Sequence, residues 1–359
     1  MNPTERTPNR RSIWRDGAAV CVVDQRRLPH EWAVARLTTP TQAVEAIANM
    51  AVRGAPLIGV TAAYGLALQA AGDAGDAALH AAAQQLKRAR PTAVNLAWAI
   101  DRALQHLLAT APARRTSAAW DFAAQLADAD VATNEALGRN GLALLHRHAA
   151  ELTRPLQVLT HCNAGRLATV DWGTALAPVY LAHAEGLPLH VWVDETRPRN
   201  QGAGLTAWEL RDAGVPHTVI ADNAGGHLMQ HGQVDLVIVG CDRVTRRGDV
   251  CNKIGTYLKA LAAFDNGVPF YVAMPLSTFD ATLDDGLREV AIEERGAREV
   301  THASGCDAAG RLVEVQLVPD GTAVANPAFD VTPARLVTAL ITERGVFPAT
   351  REALEALVP

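Results

Sequence analysis

This sequence of 359 residues has few cysteines and a small net charge. The five cysteines are odd in number and widely spaced, which argues against a disulfide framework and is typical of a reducing cytosol. A formal net charge of -5 argues against nucleic acid or an anionic membrane as the main partner. The first segment, MNPTERTPNRRSIW, lacks the apolar core of a signal peptide. We therefore expect a cytoplasmic protein, with no nucleic-acid partner and no membrane partner.

Long apolar runs are also nearly absent. One charge-free stretch, residues 54–72, approaches the length of a membrane span, but it consists mostly of Ala and Gly and no second span exists. The sequence therefore predicts a buried helix here. Hydrophobic residues make up 49% of the chain and charged residues 20%, so a large core is expected, in two domains or in one with an extension.

The first 150 residues are predicted to be mainly helical. Residues 1–12 are expected to be a disordered N-terminus, and AAVCVVDQ indicates a small β element in a domain of residues 13–150. A helix start is expected at Thr39, because Pro40 follows it and Gln42 completes a capping box. Alanine-rich stretches with helical periodicity predict further helices at about 76–89, 93–111 and 117–150.

Residues 151–359 show a different pattern, in which short apolar runs alternate with helical segments. The runs are LQVLTH (156–161), LHVWVD (189–194), HTVIA (217–221), VDLVIVG (234–240) and PFYVAM (269–274). Buried strands joined by helices indicate a parallel sheet covered on both faces. The predicted fold class is α/β, with a Rossmann-like C-terminal domain and a smaller, mostly helical N-terminal domain. A last helix is predicted over TPARLVTALITERG, from a cap at Thr332 to a stop at Gly345.

Polar and reactive residues follow the predicted strands at their carboxyl ends. His161 and Cys162 follow the first strand, residues 194–202 follow the second, and Cys241 and Asp242 follow the fourth. Ligands bind beyond this edge in an open parallel sheet. The loops at the opposite edge, such as AEGLP and DAGVP, carry no comparable residues. This asymmetry predicts an active site.

Each of these residues also has a purely structural interpretation. Cys162 is either a small core residue or a reacting thiol, because a helix N-terminus following it would favour the thiolate. Asp242 either caps a turn or, between apolar walls that raise its pKa, acts as a general acid. Cys241 and Cys251 are interpreted as packing residues.

Two cofactor classes have little support in the sequence. His161, Cys162, Cys241 and Cys251 show no CxxC or HxxxH spacing, so a zinc site is not predicted. No GxGxxG motif follows the first strand, which argues against a dinucleotide-dependent dehydrogenase. We therefore expect neither a metal nor an organic cofactor.

Several residues near predicted helix starts could bind an anion, through free backbone amides or a cationic side chain. They are Arg53, Gly54, Ala55, Arg90, Gln201, Asn252 and Lys253. Each alone is a common surface feature. Together they suggest a small phosphorylated ligand held between the two halves of the chain.

Ordered blocks of the sequence, from about residue 20 to 348, resemble the methylthioribose-1-phosphate isomerases. This family is related to the regulatory subunits of the guanine-nucleotide exchange factor of translation initiation. The blocks are RGAPLIGVTAAYGLAL, RPTAVNL, LTHCNAG, VDETRP, QGAGLTAWEL, GCDRV, NKIGTY, PFYVAMPLSTFD, IEER, NPAFDVTP and ITERGV.

The resemblance implies a homodimer that isomerises 5-methylthioribose 1-phosphate to 5-methylthioribulose 1-phosphate in methionine salvage, without metal or organic cofactor. The family's cysteine corresponds to Cys162 and its catalytic aspartate to Asp242. Whether the cysteine acts as a base or stabilises shifting charge stays open. The family's substrate-binding positions correspond to Arg53, Gly54, Ala55, Arg90, Gln201, Asn252 and Lys253.

Two positions depart from the family pattern, and residues 300–325 match it poorly. Arg166 stands where a small residue is usual, and Arg247 where asparagine is common. If Arg166 reached the pocket, a polar or phosphorylated 5-position would fit better than a methylthio group; if it points outward, nothing changes. The alternatives are therefore an isomerase of 5-deoxyribose 1-phosphate or ribose 1,5-bisphosphate, or a non-catalytic regulatory module. Retention of Cys162 and Asp242 argues against the last.

Overall fold

The computed structural model describes residues 11–91 and 93–357. Up to residue 150 these residues form three strands and five α-helices. They are β1 (Ile13–Asp16), β2 (Ala19–Val23), β3 (Val34–Leu37), α1 (Pro40–Ala48), α2 (Ala55–Gly72), α3 (Asp76–Ala89), α4 (Val94–Leu108) and α5 (Arg115–Ala149). The predicted N-terminal β element and helices are therefore present. Residues 1–10 of the predicted disordered segment lie outside the described residues.

Local sequence signals account for the start of this part. Ser12, which was predicted to be disordered, is buried, and its backbone N–H donates to Val170 O at 2.9 Å. Thr39 and Gln42 form the predicted capping box at the start of α1. One described helix, α2, is long and apolar enough to cross a membrane, but 72% of it is buried inside the protein. It is the buried helix that the sequence predicts.

The chain after residue 150 alternates strands with helices. The elements are β4 (Leu156–Thr160), α6 (Ala177–Ala184), β5 (Leu189–Asp194), α7 (Ala207–Asp212), β6 (His217–Ile220), α8 (Ala224–Gln230), β7 (Leu236–Val239), β8 (Arg243–Thr245), β9 (Val250–Lys253), α9 (Thr256–Asp265), β10 (Phe270–Ala273), β11 (Phe279–Asp280), α10 (Gly286–Glu289), α11 (Arg298–Thr301), β12 (His302–Cys306), β13 (Leu312–Gln316), β14 (Phe329–Thr332), β15 (Ala339–Thr342), β16 (Gly345–Phe347) and α12 (Arg351–Glu355). A π-helical turn, Gly202–Thr206, precedes α7.

The largest sheet has seven strands in the order β16-β15-β10-β7-β4-β5-β6. All are parallel except β16, which pairs antiparallel with β15. From β4 the chain continues outward on one side through β5 and β6, and then returns to the other side of β4 at β7. The carboxyl ends of β4 and β7 therefore flank the topological switch point, where open α/β sheets bind ligands. Cys162 follows β4 and Asp242 follows β7.

The helix predicted from Thr332 to Gly345 was wrong. This segment instead ends β14, makes a short 3-10 turn and forms β15, which pairs in parallel with β10. Leu340 and Ile341 are almost fully buried in the sheet. The cap-like Thr-Pro pair is a local signal, and pairing with a strand some seventy residues earlier overrides it.

A four-stranded sheet, β11-β8-β9-β14, and the hairpin β12–β13 lie outside the main sheet. In the first of these, Asn252 pairs with Asp330 and Lys253 with Phe329. Asn252 and Lys253 were expected to open a helix, but they end strand β9, and α9 begins only at Thr256. A strand fixes their side chains on opposite faces of the backbone.

Helix α5, with 35 residues, joins two hydrophobic cores. Its first half contributes Trp120 and Ala127 to a core with the N-terminal strands and helices. Its second half contributes Leu137 and Leu145 to a core on one face of the large sheet. A third core covers the opposite face of that sheet. Helix α5 thereby connects the N-terminal helices to the large sheet.

Candidate active site

Cys162 lies in a tight turn directly after β4. Its φ is 65°, a left-handed conformation that costs a non-glycine residue about 1–3 kcal/mol. Two threonine hydroxyl groups hold this turn: the Cys162 N–H donates to Thr196 Oγ1 at 2.8 Å, and Thr206 Oγ1 donates to Cys162 O at 2.7 Å. Both contacts are buried. Strain of this kind, held by specific hydrogen bonds, is typical of functional residues.

The helix dipole predicted to act on Cys162 is absent. Only a 3-10 turn, Arg166–Ala168, follows, and the next α-helix begins at Ala177. The positive charge near the thiol comes instead from side chains. The ammonium of Lys253 interacts with Cys162 and with Asp242, while burial lowers the pKa of Lys253.

Arg53 connects the N-terminal part of the chain to the Cys162 turn. It is 9% exposed, and its guanidinium donates to the side-chain oxygen of Asn163 and, at 2.6 Å, to Asn163 O. Asn163 in turn donates to Glu209 at 2.9 Å. Gly54 follows with φ of 94°, and a Cβ there would lie 2.3 Å from Ala168 O. Only glycine therefore allows α2 to start this close to the catalytic edge.

Asp242 lies across the crevice from the N-terminal helices. Its N–H donates to Cys251 O at 3.0 Å, which fixes it after β7. Burial raises the pKa of the Asp242 carboxyl, and the nearby cations Lys253, Arg90 and Arg53 oppose that rise. A carboxyl whose pKa is raised by its surroundings is the form that a general acid needs near neutral pH.

Cys241 and Cys251, which the sequence suggested as packing residues, both line the candidate site: Cys241 lines the cavity that contains Cys162, and Cys251 lines the one that contains Arg90. Burial raises the pKa of Cys241 to about 12, and the Sγ atom lies 3.4 Å from Thr278 Oγ1. Burial also raises the pKa of Cys251.

The predicted site residues line three adjoining cavities. The first contains Cys162 and the second Arg90, and Asp242 and Ala55 belong to both. The third contains Gln201, and it adjoins the first at Arg53. The residues that line one or more of these cavities are Arg53, Gly54, Ala55, Arg90, Cys162, Gln201, Asp242 and Asn252. Lys253 is buried beside them and donates to Ala328 O at 2.9 Å.

The cationic residues are already partly neutralised. Arg90 forms an ion pair with Glu293 at 3.0 Å, and Glu293 also pairs with Arg295 at 2.7 Å. Gln201 is 4% exposed, and within the described residues its Oε1 accepts no hydrogen bond. A buried acceptor of this kind is available to a hydroxyl donor of a ligand.

Arg166 points away from these cavities. Its guanidinium lies 5.3 Å from the centre of the Tyr180 ring and 3.3 Å from Asp212 Oδ2. Glu209 accepts the Arg166 backbone N–H at 2.7 Å. The departure from the family pattern at this position therefore adds no cation to the crevice, although the side chain is half-buried rather than directed into solvent.

The sequence analysis missed the residues that support the turn. Thr196, Thr206 and Glu209 bond to Cys162 or Asn163, and they lie in the blocks VDETRP and QGAGLTAWEL, but no role was predicted for them. Thr196 also lies in the loop after the second strand, at the predicted site edge. A hydroxyl at hydrogen-bond distance from a distant backbone atom leaves no trace in local spacing.

His161, Cys162, Cys241 and Cys251, which were weighed as a zinc site, do not form a metal-binding group among the described residues. Among residues 11–91 and 93–357, the group of acidic, histidine and cysteine side chains close enough to hold a metal is His161, Asp194 and Asp222. The Lys259 ammonium lies 3.3 Å from Asp194 Oδ2. A metal ion at this group would therefore compete with the Lys259 ammonium for the Asp194 carboxylate.

A larger cavity, of about 720 Å³, lies on the far side of Pro56 and Pro275. Asn95, Trp98 and Phe122 are among its lining residues. It contains none of the predicted site residues and no cysteine, so the smaller crevice is the candidate active site.

Comparison with known proteins gives consistent matches over nearly the whole chain. A profile of the initiation factor 2 subunit family matches residues 51–349. A Rhodospirillum rubrum protein named methylthioribose-1-phosphate isomerase is 60% identical, over 98% of this chain and 92% of its own length. The crystal structure of 5-methylthioribose 1-phosphate isomerase from Pyrococcus horikoshii OT3 superposes with a TM-score of 0.81 at 39% identity, covering 99% of this chain and 98% of that one. The structure of translation initiation factor eIF-2B, subunit delta, from A. fulgidus gives a TM-score of 0.79 at 41% identity, covering 97% and 98%.

Proposed function

Since this chain belongs to the initiation factor 2 subunit family, we propose that it isomerises 5-methylthioribose 1-phosphate to 5-methylthioribulose 1-phosphate in methionine salvage. The family predicted from the sequence is confirmed, and the chain is an isomerase. The observation that carries the proposal is the pair Cys162 and Asp242, which line one cavity at the switch point of the sheet.

Asp242 supplies the acid for ring opening. Its proton passes to the ring oxygen, and the bond between that oxygen and C1 breaks. The hydrogen on C2 then moves to C1, and the C2 hydroxyl returns a proton to the Asp242 carboxylate as the ketone forms. The carboxyl is protonated again at the end, so atoms and charge balance. The raised pKa of Asp242 keeps the acid ready for the first step.

Cys162 acts on the same two carbons from the β4 side. It either removes the C2 proton as a thiolate or stabilises charge while hydrogen shifts between C2 and C1. Both roles need the thiol held close to the reacting carbons, and the Thr196 and Thr206 hydrogen bonds provide that placement.

The remaining predicted residues anchor the phosphorylated sugar. Arg53, Arg90 and Lys253 supply positive charge, and Gln201 and Asn252 supply amide groups. Anchoring by the phosphate positions C1 and C2 rather than changing their chemistry. We propose that no metal and no organic cofactor takes part.

The organisation of the chain is proposed on the same basis. We propose an N-terminal domain of residues 13–150 and a Rossmann-like domain of residues 151–359, with the site between them. The separate cores support two domains, while Leu137 and Leu145, in the second half of α5, pack in the core of the large sheet. We further propose a cytoplasmic homodimer.

An NMR time course with 5-methylthioribose 1-phosphate tests the function. The wild type should form the ketose, and Cys162→Ala and Asp242→Asn should lose turnover while Cys306→Ala, which changes an exposed thiol outside the three cavities, retains it. No turnover of this sugar, with turnover of 5-deoxyribose 1-phosphate or ribose 1,5-bisphosphate, would change the substrate. Failure of all three sugars would favour a regulatory module.

A further inference from the structure

A buried charged cluster lies directly behind the Cys162 turn, and the proposed reaction does not use it. It consists of His161, Asp194 and Lys259, whose side chains are 0%, 0% and 5% exposed. Burying three ionisable groups is costly unless each is paired and hydrogen-bonded. The presence of these three groups next to Cys162 therefore needs a physical explanation.

The two ring nitrogens of His161 have different partners. Nε2 lies 2.8 Å from Ile254 O, and a carbonyl oxygen only accepts, so Nε2 carries a hydrogen. Nδ1 lies 2.8 Å from Asp194 Oδ2, and a proton is held between them. The ring is thereby fixed at both ends, between β5 and the segment after β9.

Lys259 completes the cluster from helix α9. Its ammonium lies 3.3 Å from Asp194 Oδ2 and also donates to the backbone oxygen of Asp222. Close packing leaves no room for adjustment, because a Cβ at Gly255 would lie 3.0 Å from the imidazole of His161. Burial raises the pKa of Asp194, and the hydrogen bond from His161 and the charge of Lys259 oppose this.

A hydrogen-bond chain connects Asp194 to the backbone of Cys162. Asp194 O accepts from Thr196 Oγ1 at 3.0 Å, and Thr196 Oγ1 accepts the Cys162 N–H at 2.8 Å. The cluster is therefore connected to the Cys162 turn in two ways. His161 is the residue directly before Cys162, and Thr196 bonds both to Asp194 O and to the Cys162 N–H.

We propose that His161, Asp194 and Lys259 form a positioning unit that holds Cys162 in its left-handed conformation with the thiol in the crevice. The effect of this unit on turnover rests on the proposed isomerase function. Its structural consequence, a fixed Cys162 turn, is independent of any substrate. The bond between His161 and Asp194 is the critical one, because it joins the turn to the strand that also carries Thr196.

Two substitutions of His161 separate its two bonds. In His161→Asn the amide nitrogen takes the place of Nδ1 and can still donate to Asp194. In His161→Gln it takes the place of Nε2 and can still donate to Ile254 O. Each variant keeps one bond and loses one, and His161→Gln should lose more stability because its lost bond is to a buried carboxylate. His190→Gln, at a partly exposed histidine on β5, is the control.

The first readout is turnover of 5-methylthioribose 1-phosphate. His161→Gln should lower kcat about 100-fold with KM within about threefold of wild type, since a misplaced group costs about this much. His161→Asn should lower kcat about tenfold or less. Equal losses in both variants, or a larger loss in His161→Asn, would overturn the proposal. Lys259→Met should lower kcat about tenfold, and an unchanged kcat there would overturn it even if the histidine variants fail to fold.

The second readout needs no sugar. With the exposed Cys306 replaced by Ser, the rate of Cys162 alkylation by iodoacetamide is followed by mass spectrometry. Cys162 is only 9% exposed, so releasing the turn in His161→Gln should speed alkylation at least about threefold, and His161→Asn should stay near wild type. Equal rates in all variants would overturn the proposal. If wild type turns over no sugar yet alkylation follows this order, the unit stands and the proposed function fails.

Discussion

At the scale of single residues, the site depends on conformations that are costly by themselves. Cys162 at φ 65° and Thr196 at φ 67° face each other across one hydrogen bond. Each non-glycine residue in this region needs support from its surroundings. Thr206, directly before α7, donates its hydroxyl hydrogen to Cys162 O, and the buried Glu209 within α7 accepts from the neighbouring Asn163 side chain.

The pH dependence of the reaction should report Asp242. The carboxyl acts as an acid only when it is protonated, and burial raises its pKa above the ordinary value. Activity is therefore present below the folded-state pKa and is lost as pH rises through it. We expect a falling alkaline limb of kcat/KM in the wild type. Asp242→Asn should lower kcat about 10²- to 10⁴-fold and abolish that limb; an identical limb in the variant would assign it to another group.

Arg166 should matter for stability and not for substrate choice. It pairs with Asp212 at 3.3 Å and lies over Tyr180, outside the crevice. Arg166→Met should leave KM for 5-methylthioribose 1-phosphate within about twofold of wild type. It should lower the free energy of unfolding by about 1–3 kcal/mol, because it leaves the buried Asp212 carboxylate without its cation, while Glu209 keeps its other hydrogen bonds. Urea denaturation and steady-state kinetics check the two parts, and a shift of preference toward ribose 1,5-bisphosphate would contradict the assignment.

At the scale of elements, much of the fold was predictable because the signals were local. The capping box at Thr39, the periodic helices and the buried apolar strands need only nearby residues. The strand at Ala339–Thr342 was not predictable in this way, since its partner Tyr271–Ala273 is distant in sequence. The site shows the same difference between local and distant signals. The strand ends predicted Cys162 and Asp242, whereas the hydroxyl groups that hold the Cys162 turn come from other segments of the chain.

The start of α2 provides a test of element packing. Gly54 has φ of 94°, and a Cβ would lie 2.3 Å from Ala168 O, whereas a Cβ at Gly72 in the same helix meets nothing within 4 Å. Gly54→Ala should lower the melting temperature by several degrees, with a loss of about 1–3 kcal/mol, and should reduce kcat/KM. Gly72→Ala should leave both nearly unchanged. Equal melting temperatures for the two variants would show that this close approach is not required.

At the scale of the whole molecule, the site is shared between the two halves of the chain. The ion-dipole contact from Arg53 to Asn163 crosses from the helix side to the sheet side, and the Arg90–Glu293 pair does the same. Neither half contains a complete set of anchoring and reacting groups. A separately expressed half should therefore show no turnover, whatever its stability.

The surface of the C-terminal half supports the proposed homodimer. On α9, Leu258 is 58% exposed and Phe264 64%, and Val219 on the edge strand β6 is 42% exposed. Exposed apolar side chains and an open strand edge are both features that favour association with a second copy. Light scattering after gel filtration should give twice the chain mass of 38.1 kDa.

Leu258→Glu with Phe264→Glu should shift the protein toward monomer, and Val313→Glu with Val315→Glu, on the exposed hairpin strand β13, should not. A wild-type mass of one chain would contradict the dimer, and dissociation by the hairpin variant alone would move the interface to that strand.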